Sequence, residues 1–257
     1  MNRKRVLALG CGVQSSAMAL MMSRGEIEPP DIAIFADTGV EPPAVYRYLF
    51  FLKKELNFPI ITVSAGNIEQ DFLLRLAGKK RRCASPPFMV RNEQTGKKAR
   101  LRRQCTKEYK LTPMLRKIRD WAGRAPVEQV IGISLDEARR MRPAAYRWLK
   151  NSYPLVEAGI SRAGCLEWMK EHGYPEPPRS ACYMCPYMSD TRIRTMRDHE
   201  PELYRRLVWF DGEIRRLQKE KLNRAEITGT LYIHRSCRPI DTIDLSTDID
   251  RGQLTLF

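Results

Sequence analysis

The feature that most constrains this chain is an alternation of short apolar runs with helix-like segments between residues 5 and 63. Residues 5–9 read as a short buried strand, 10–14 as a turn, and 15–23 (Ser-Ser-Ala-Met-Ala-Leu-Met-Met-Ser) as a helix. A second apolar strand over 32–36 ends in Asp37-Thr38-Gly39. Pro42-Pro43 then opens a helix to about residue 56, where a proline's missing N–H has no helical partner to lose. Residues 60–63 form a third strand. Strand, helix, strand, helix, strand in this order predicts a parallel sheet with right-handed crossovers.

A helix is expected over 68–76. The pattern then breaks at a basic stretch whose Pro86-Pro87 and Gly96 predict a long loop. Thr112-Pro113 opens a helix ending near Trp121, and 127–133 is a fourth strand. Beyond it the strand signal fades; 167–172, 192–197 and 201–221 look helical, and the tail after Asp241 is polar and acidic. The fold class is therefore α/β, a five-stranded parallel sheet with helices on both faces and a mostly helical C-terminal region. The expected division is 1–158, carrying a basic insertion at 78–104, and 159–257.

At 257 residues and 43% hydrophobic composition the chain can bury a core and is expected to be globular. Its apolar runs fall short of the roughly 18 residues of a membrane span, and the basic start, Met1-Asn2-Arg3-Lys4-Arg5, leads into a strand rather than a secretory signal. A cytoplasmic protein without membrane contact is expected. The net charge of +15 points to a polyanion, either nucleic acid or a phosphorylated nucleotide, unless it only solvates the surface. Between Lys79 and Arg103 lie ten basic residues and one acid, Glu93, which makes this stretch the candidate phosphate contact. Seven cysteines without a secretion signal favour metal ligation or redox work over disulfides.

Two segments carry nucleotide chemistry. In Leu9-Gly10-Cys11-Gly12-Val13-Gln14-Ser15-Ser16 a glycine turn between strand and helix exposes backbone N–H groups to an anion; Ser15 and Ser16 add hydroxyls. The same turn could be only a tight, capped connection. No lysine follows the glycines as in a Walker A loop, and the pattern is not G-x-G-x-x-G. In Ala36-Asp37-Thr38-Gly39-Val40-Glu41, Asp37 and Glu41 could hold Mg²⁺ or ribose hydroxyls, or simply cap a helix.

Cys182-x-x-Cys185, followed by Pro186, is a chelating pair used by zinc, iron–sulfur and dithiol sites. It follows the Pro-rich run Tyr174-Pro175-Glu176-Pro177-Pro178 rather than opening a helix, which argues against a thioredoxin-like dithiol. Cys105, flanked by Arg102, Arg103, Lys107 and Lys110, is the best third ligand, because cations favour thiolate. Cys237 is the choice for the fourth, with His234 and Cys83 behind it. Cys165 reads as a buried helical cysteine and Cys11 as part of the turn.

These segments resemble, in order, those of the PP-loop ATP pyrophosphatases, the adenine nucleotide alpha hydrolase type of Rossmann-like fold. The first turn is similar to their S-G-G-x-D-S loop, and Ala36-Asp37-Thr38-Gly39 to the segment of the phosphoadenosine phosphosulfate reductase branch. Further similarity lies in Arg103-Gln104-Cys105-Thr106 with Tyr109-Lys110 and Pro113, in Ile131-Gly132-Ile133-Ser134-Leu135-Asp136-Glu137, in Tyr153-Pro154-Leu155-Val156-Glu157, and in Cys182-Tyr183-Met184-Cys185-Pro186. Gln14 stands where that loop has Asp, and Cys11 where it has Gly; the N–H cradle remains.

The resemblance implies ATP and Mg²⁺ as cofactors. It implies a nucleotide site of Gly10, Gly12, Val13, Gln14, Ser15, Ser16, Ala36, Asp37, Thr38, Gly39 and Gly132, and a catalytic set of Asp37, Arg103, Lys110 and Asp136. Similar cysteines hold a [4Fe–4S] cluster in assimilatory adenylyl-sulfate reductases and in the sulfur-activating subunit of DNA phosphorothioation systems. That implies a cluster on Cys105, Cys182 and Cys185, to which Cys237 is added here by inference; zinc is the other metal considered.

Three activities follow. One is adenylation of nucleic acid, DNA ahead of tRNA, with sulfur from a cysteine desulfurase. A second is reduction of adenylyl sulfate or its 3′-phosphorylated form, which needs a nucleophilic cysteine near the C-terminus; residues 252–257 contain none. The third is an inactive nucleotide- and nucleic-acid-binding subunit. A homodimer is a candidate assembly. Arg139, Arg140 and Arg142 bind phosphate or form a solvated face. Tyr232 and His234 close over the nucleotide or lie on a surface strand. His172 and His199 are expected to be surface helical residues.

Overall fold

The structure is a computed structural model and describes residues 3–220 and 229–246. Its elements in chain order are β1 (Lys4–Leu9), α1 (Val13–Ser23), β2 (Ile32–Asp37), α2 (Pro43–Glu55), β3 (Ile60–Ser64), α3 (Ile68–Leu76), β4 (Met89–Arg91) and β5 (Lys98–Arg100). A π-helical turn at Thr106–Leu111 precedes α4 (Thr112–Ala122), β6 (Val127–Ile131), a 3₁₀ turn at Leu135–Arg140, β7 (Leu149–Ser152) and α5 (Pro154–Glu157). There follow α6 (Arg162–Glu171), α7 (Asp190–His199), α8 (Pro201–Glu220), β8 (Thr230–Tyr232) and a short 3₁₀ turn at Ile240–Thr242. Lys221, where the last long helix was expected to end, and the C-terminal run 252–257 lie outside the described residues.

The chain divides into two compact units, and not by a cut after residue 158. One holds Met1–Ala65 with Tyr109–Ala181, the other Gly66–Glu108 with Cys182–Phe257. Packing explains the first boundary. Cys165 and Met169 of α6 are buried with Leu20 and Met22 of α1 in one apolar cluster, so 159–181 stays with the α/β unit.

That unit is built on a parallel five-stranded sheet in the order β3-β2-β1-β6-β7. Alternate residues of the central strands serve opposite faces. Leu7, Leu9, Ala33, Phe35 and Val130 pack under α1, α2 and α6. Val6, Ile32, Ile34 and Val127 pack with Met114 and Ile118 of α4. Because both faces are covered, β1 and β2 read as unbroken apolar runs. Helix α1 is buried from Val13 and from Ser16 to Met22, so it shows no amphipathic stripe. The fifth strand, β7, is Leu-Lys-Asn-Ser at the sheet edge, a polar segment that gives no strand signal.

The second unit holds most of the helical C-terminal region and a three-stranded antiparallel sheet in the order β5-β4-β8. The expected long loop is thus corrected: its middle is a hairpin. Asn92 closes it, its side chain accepting from the N–H groups of Gln94 and Thr95, while Gly96 N–H donates to the Asn92 carbonyl. Phe72 of α3, Phe88 and Phe210 of α8 form the aromatic core, with ring centroids 4.8 and 6.0 Å apart.

Two buried carboxylates tie this unit's segments together. Asp211 accepts from Ile233 N–H and Ile240 N–H, both at 3.1 Å, and from Arg215 at 2.5 Å. Glu69 of α3 accepts from Tyr183 Oη and from Arg206. These bonds join 66–108 to 182–246, segments that a linear reading keeps apart. Among the described residues no helix is long and apolar enough to cross a membrane.

Candidate functional site

The site begins at a reversal in strand order. From β1 the chain builds outward through β2 to β3, then returns to place β6 on the other flank of β1. In an open parallel sheet, ligands bind at the carboxyl ends of the two strands flanking such a switch. The loops there are Gly10–Gly12 after β1 and Gly132–Ser134 after β6.

The first turn is held on several sides. Ser15 Oγ accepts from Gly10 N–H at 3.2 Å and lies 3.3 Å from the Gly12 carbonyl. Gly132 must lack a side chain, since a Cβ there would stand 2.8 Å from both N and Cα of Ser15. Gln14 Nε2 donates to Glu137 Oε2 at 3.1 Å and to Ser134 Oγ at 3.4 Å, bridging the two loops. Ser180 Oγ donates to the Gly10 carbonyl, and its Cβ would lie 3.4 Å from a Cβ on Gly12. Ser180 was not foreseen, and no local signal could show it: it reaches the turn from 170 residues away.

The N-terminus of α1 has no side-chain cap: Gly12 is the cap residue, and the first helical bond runs from Ser16 N–H to the Gly12 carbonyl. The N–H groups of Val13, Gln14 and Ser15 thus lack helical acceptors, and the helix dipole places partial positive charge there. Helices α2, α4 and α5 also lack a side-chain cap, whereas α3, α6 and α7 are capped by Asn67, Ser161 and Ser189. Of the two serine hydroxyls, Ser15 is used inside the turn. Ser16 Oγ is enclosed without a hydrogen-bond partner. The backbone N–H groups, rather than the hydroxyls, are the donors left open at this turn.

Cys11 takes a left-handed conformation, φ 55°, and is fully buried. Burial first, then the nearby Glu41 carboxylate, pushes its thiol up to about 12, so it stays protonated at neutral pH.

At the end of β2, Asp37 Oδ1 accepts from Gly39 N–H and from Tyr46 Oη, both at 2.8 Å. Gly39 sits at φ 71°, where other residues are strained. Burial and the bond to Asp37 raise the Tyr46 phenol, which remains a donor. Ala36 and Thr38 are buried beside it. Glu41, 4% exposed, accepts from Thr38 Oγ1 at 3.2 Å and pairs with Lys110 Nζ at 2.8 Å. The π-helical turn aims Lys110 at this carboxylate, so its charge reaches a ligand only net of Glu41.

Asp136 is exposed on the 3₁₀ turn after β6 and accepts from Arg162 N–H at 2.8 Å, at the start of α6. That bond, then one from Ser134, holds its carboxyl below the usual carboxylate range. The same carboxyl thus meets the N-terminus of α6. Arg140 pairs with Glu137 at 2.6 Å, and Arg142 bonds the carbonyls of Arg139 and Met141.

The remaining expected residues lie in the second unit: Arg103, Cys105, Cys182, Cys185 and Cys237. Cys182 and Cys185 span one tight turn, with Cys185 N–H on the Cys182 carbonyl at 3.1 Å. Cys237 is buried at φ 56°, and burial raises its thiol. Among the described residues no three His, Cys, Asp or Glu side chains gather as a metal ion requires. His234 has both ring nitrogens engaged, by Asp190 and Ser236, each at 2.8 Å, which makes it a structural residue. Tyr232 lies on the surface strand β8. His172 stacks on Trp168 with centroids 4.2 Å apart, and His199 ends α7. Cys165 is buried in α6, and burial pushes its thiol up to about 11. Burial likewise pushes the Cys83 thiol to about 11.

No protein-family model matches the chain. No curated protein matches it. Among solved structures, the crystal structure of phosphoadenylyl-sulfate (PAPS) reductase from Candida auris, in a phosphate complex, is similar over 69% of this chain and 76% of its own, at 13% sequence identity and a TM-score of 0.46.

Proposed function

We propose that this protein is an ATP-dependent, adenylating sulfur-transfer enzyme of the PP-loop kind whose acceptor is nucleic acid, DNA ahead of tRNA. The observation that carries the reading is the uncapped N-terminus of α1 at the strand-order switch, braced by Gly132, Gln14 and Ser180. Backbone donors fixed before the ligand arrives stabilise phosphate charge without reorganising. ATP phosphates lie against this cradle. Asp37 orients the ribose or Mg²⁺, its Oδ1 already held by Gly39 and Tyr46. An acceptor oxygen attacks the α-phosphorus and pyrophosphate leaves; the terminal sulfur of a desulfurase persulfide then displaces AMP, and a thiol reductant cleaves the resulting S–S bond to free the donor cysteine. The basic stretch 79–103 holds the acceptor.

The metal belongs to the proposal on narrower grounds. The turn between Cys182 and Cys185 is the spacing at which two thiolates share one zinc or iron. The described residues do not complete the cage. Anaerobic purification tests it: a brown protein absorbing near ~400 nm supports [4Fe–4S] ligation, and a colourless, zinc-rich one rejects it.

The activity test follows pyrophosphate from labelled ATP with and without DNA or tRNA. Release stimulated by nucleic acid supports the reading. Sulfite release from adenylyl sulfate with thioredoxin would replace it by the reductase. ATP binding without turnover would replace it by the inactive binding subunit.

A further inference from the structure

Within the basic stretch the cations are not equivalent. Lys80 pairs with Asp71, Arg82 with Glu108 and Arg91 with Glu93. Arg100 and Arg103 pair with no carboxylate among the described residues; both instead face the ring of Tyr187, at 5.0 and 5.5 Å from its centroid. Tyr187 is 45% exposed, so its ring is open to a ligand.

All three residues stand on fixed backbone. Arg100 ends the edge strand β5, and Leu101 N–H bonds the carbonyl of the fully buried Phe88 at 2.9 Å. Gln104 N–H bonds the Ser85 carbonyl at 3.2 Å, closing the segment that carries Arg103. Tyr187 sits between buried Met184 and Met188 and is pinned by Met188 N–H on the Cys185 carbonyl at 3.0 Å. Two guanidiniums with no carboxylate partner among the described residues thus share one exposed ring on a fixed frame. An electropositive groove with an exposed aromatic ring is the chemistry that holds single strands.

We propose that Arg100 and Arg103 clamp the phosphodiester backbone of single-stranded nucleic acid, with Tyr187 as the residue that positions both guanidiniums. The inference rests on the nucleic-acid acceptor proposed above and specifies how that acceptor is held. It also lays the bound strand two residues from Cys185.

The test is fluorescence anisotropy of a fluorescein-labelled 20-nucleotide oligothymidylate, titrated with the full chain across a salt series. Arg100→Ala and Arg103→Ala each weaken binding on the order of fivefold and lower the slope of log K against log salt by about 0.7, one phosphate contact. Tyr187→Ala weakens binding comparably, and Tyr187→Phe, which keeps the ring, restores it. Arg216→Ala removes a cation already paired with Glu213 and Glu220 and leaves binding within twofold. Circular dichroism melting confirms that each variant is folded.

If the wild type binds but the three alanine variants bind equally well with unchanged slopes, the clamp is wrong and the acceptor reading survives. A loss with Arg216→Ala equal to that with Arg100→Ala reduces the effect to net charge and overturns the clamp. A duplex bound as tightly, with the same losses, overturns the single-strand assignment. No binding of the oligothymidylate by the wild type at low salt overturns the clamp, and if duplex DNA and tRNA also fail to bind, the acceptor reading goes with it.

Discussion

Two turns carry this protein's candidate chemistry, and they are held very differently. The turn at Gly10–Ser16 is tied by its own Ser15 and Gln14 and braced from two other parts of the same unit, the Gly132–Glu137 loop and Ser180. The turn at Cys182–Cys185 is closed by Cys185 N–H on the Cys182 carbonyl, and among the described residues no group of three His, Cys, Asp or Glu side chains gathers there. The first is finished before any ligand arrives. The second brings two cysteines onto one tight turn. Preorganisation is therefore expected where charge must be stabilised at once, and ligand-driven closure where a metal is captured.

The contrast breaks most visibly at the metal. Cys182→Ser or Cys185→Ser should abolish bound metal in anaerobic preparations, while Cys165→Ala should retain it; elemental analysis decides. Next comes Lys110→Met, which strips the cation from the buried Glu41 and should destabilise the chain by about 3 kcal/mol in urea unfolding. Gly132→Ala should cost about 2 kcal/mol by forcing a methyl onto the Ser15 backbone, and should weaken ATP binding at least tenfold by calorimetry. Gln14→Ala, losing one bridge between the two loops, should cost about 1 kcal/mol and raise the Kd for ATP a few-fold.

The smallest effect is a pH dependence at Asp136. Its folded carboxyl is held below the usual range by Arg162 N–H and then Ser134, so its stabilisation is present above the unfolded value and lost as pH falls through the folded one. The gap in urea midpoint between wild type and Asp136→Asn should therefore be full at pH ~6 and close below pH ~4. A gap that persists in acid would show that the carboxylate charge does not hold the start of α6.

The parts legible in the sequence are those whose cause is local. Strands β1 and β2 announce themselves because both faces are buried, and the turn before α1 because glycines bracket it. Strand β7 was not legible, since an edge strand of Leu-Lys-Asn-Ser owes its pairing to β6 rather than to its own residues. The hairpin at β4 and β5 was hidden by its prolines and charges, because β4 is specified by pairing with β8. The roles of Gln14 and Ser180 were hidden for the same reason: their partners are remote in sequence. At Asp136 the motif gave no sign of the bond its carboxyl accepts from Arg162 N–H at the start of α6.

The pairing of β4 with β8 has a consequence for how the protein is made. Arg91 leaves the ribosome well before Thr230, its strand partner. At ordinary elongation rates the delay is on the order of ten seconds. During that interval the α/β unit can be synthesised through Ala181 and collapse, while the hairpin waits with Val90 and Phe88 uncovered. Nascent chains stalled before residue 229 should therefore recruit holdase chaperones at the hairpin, and release of the last segment should discharge them.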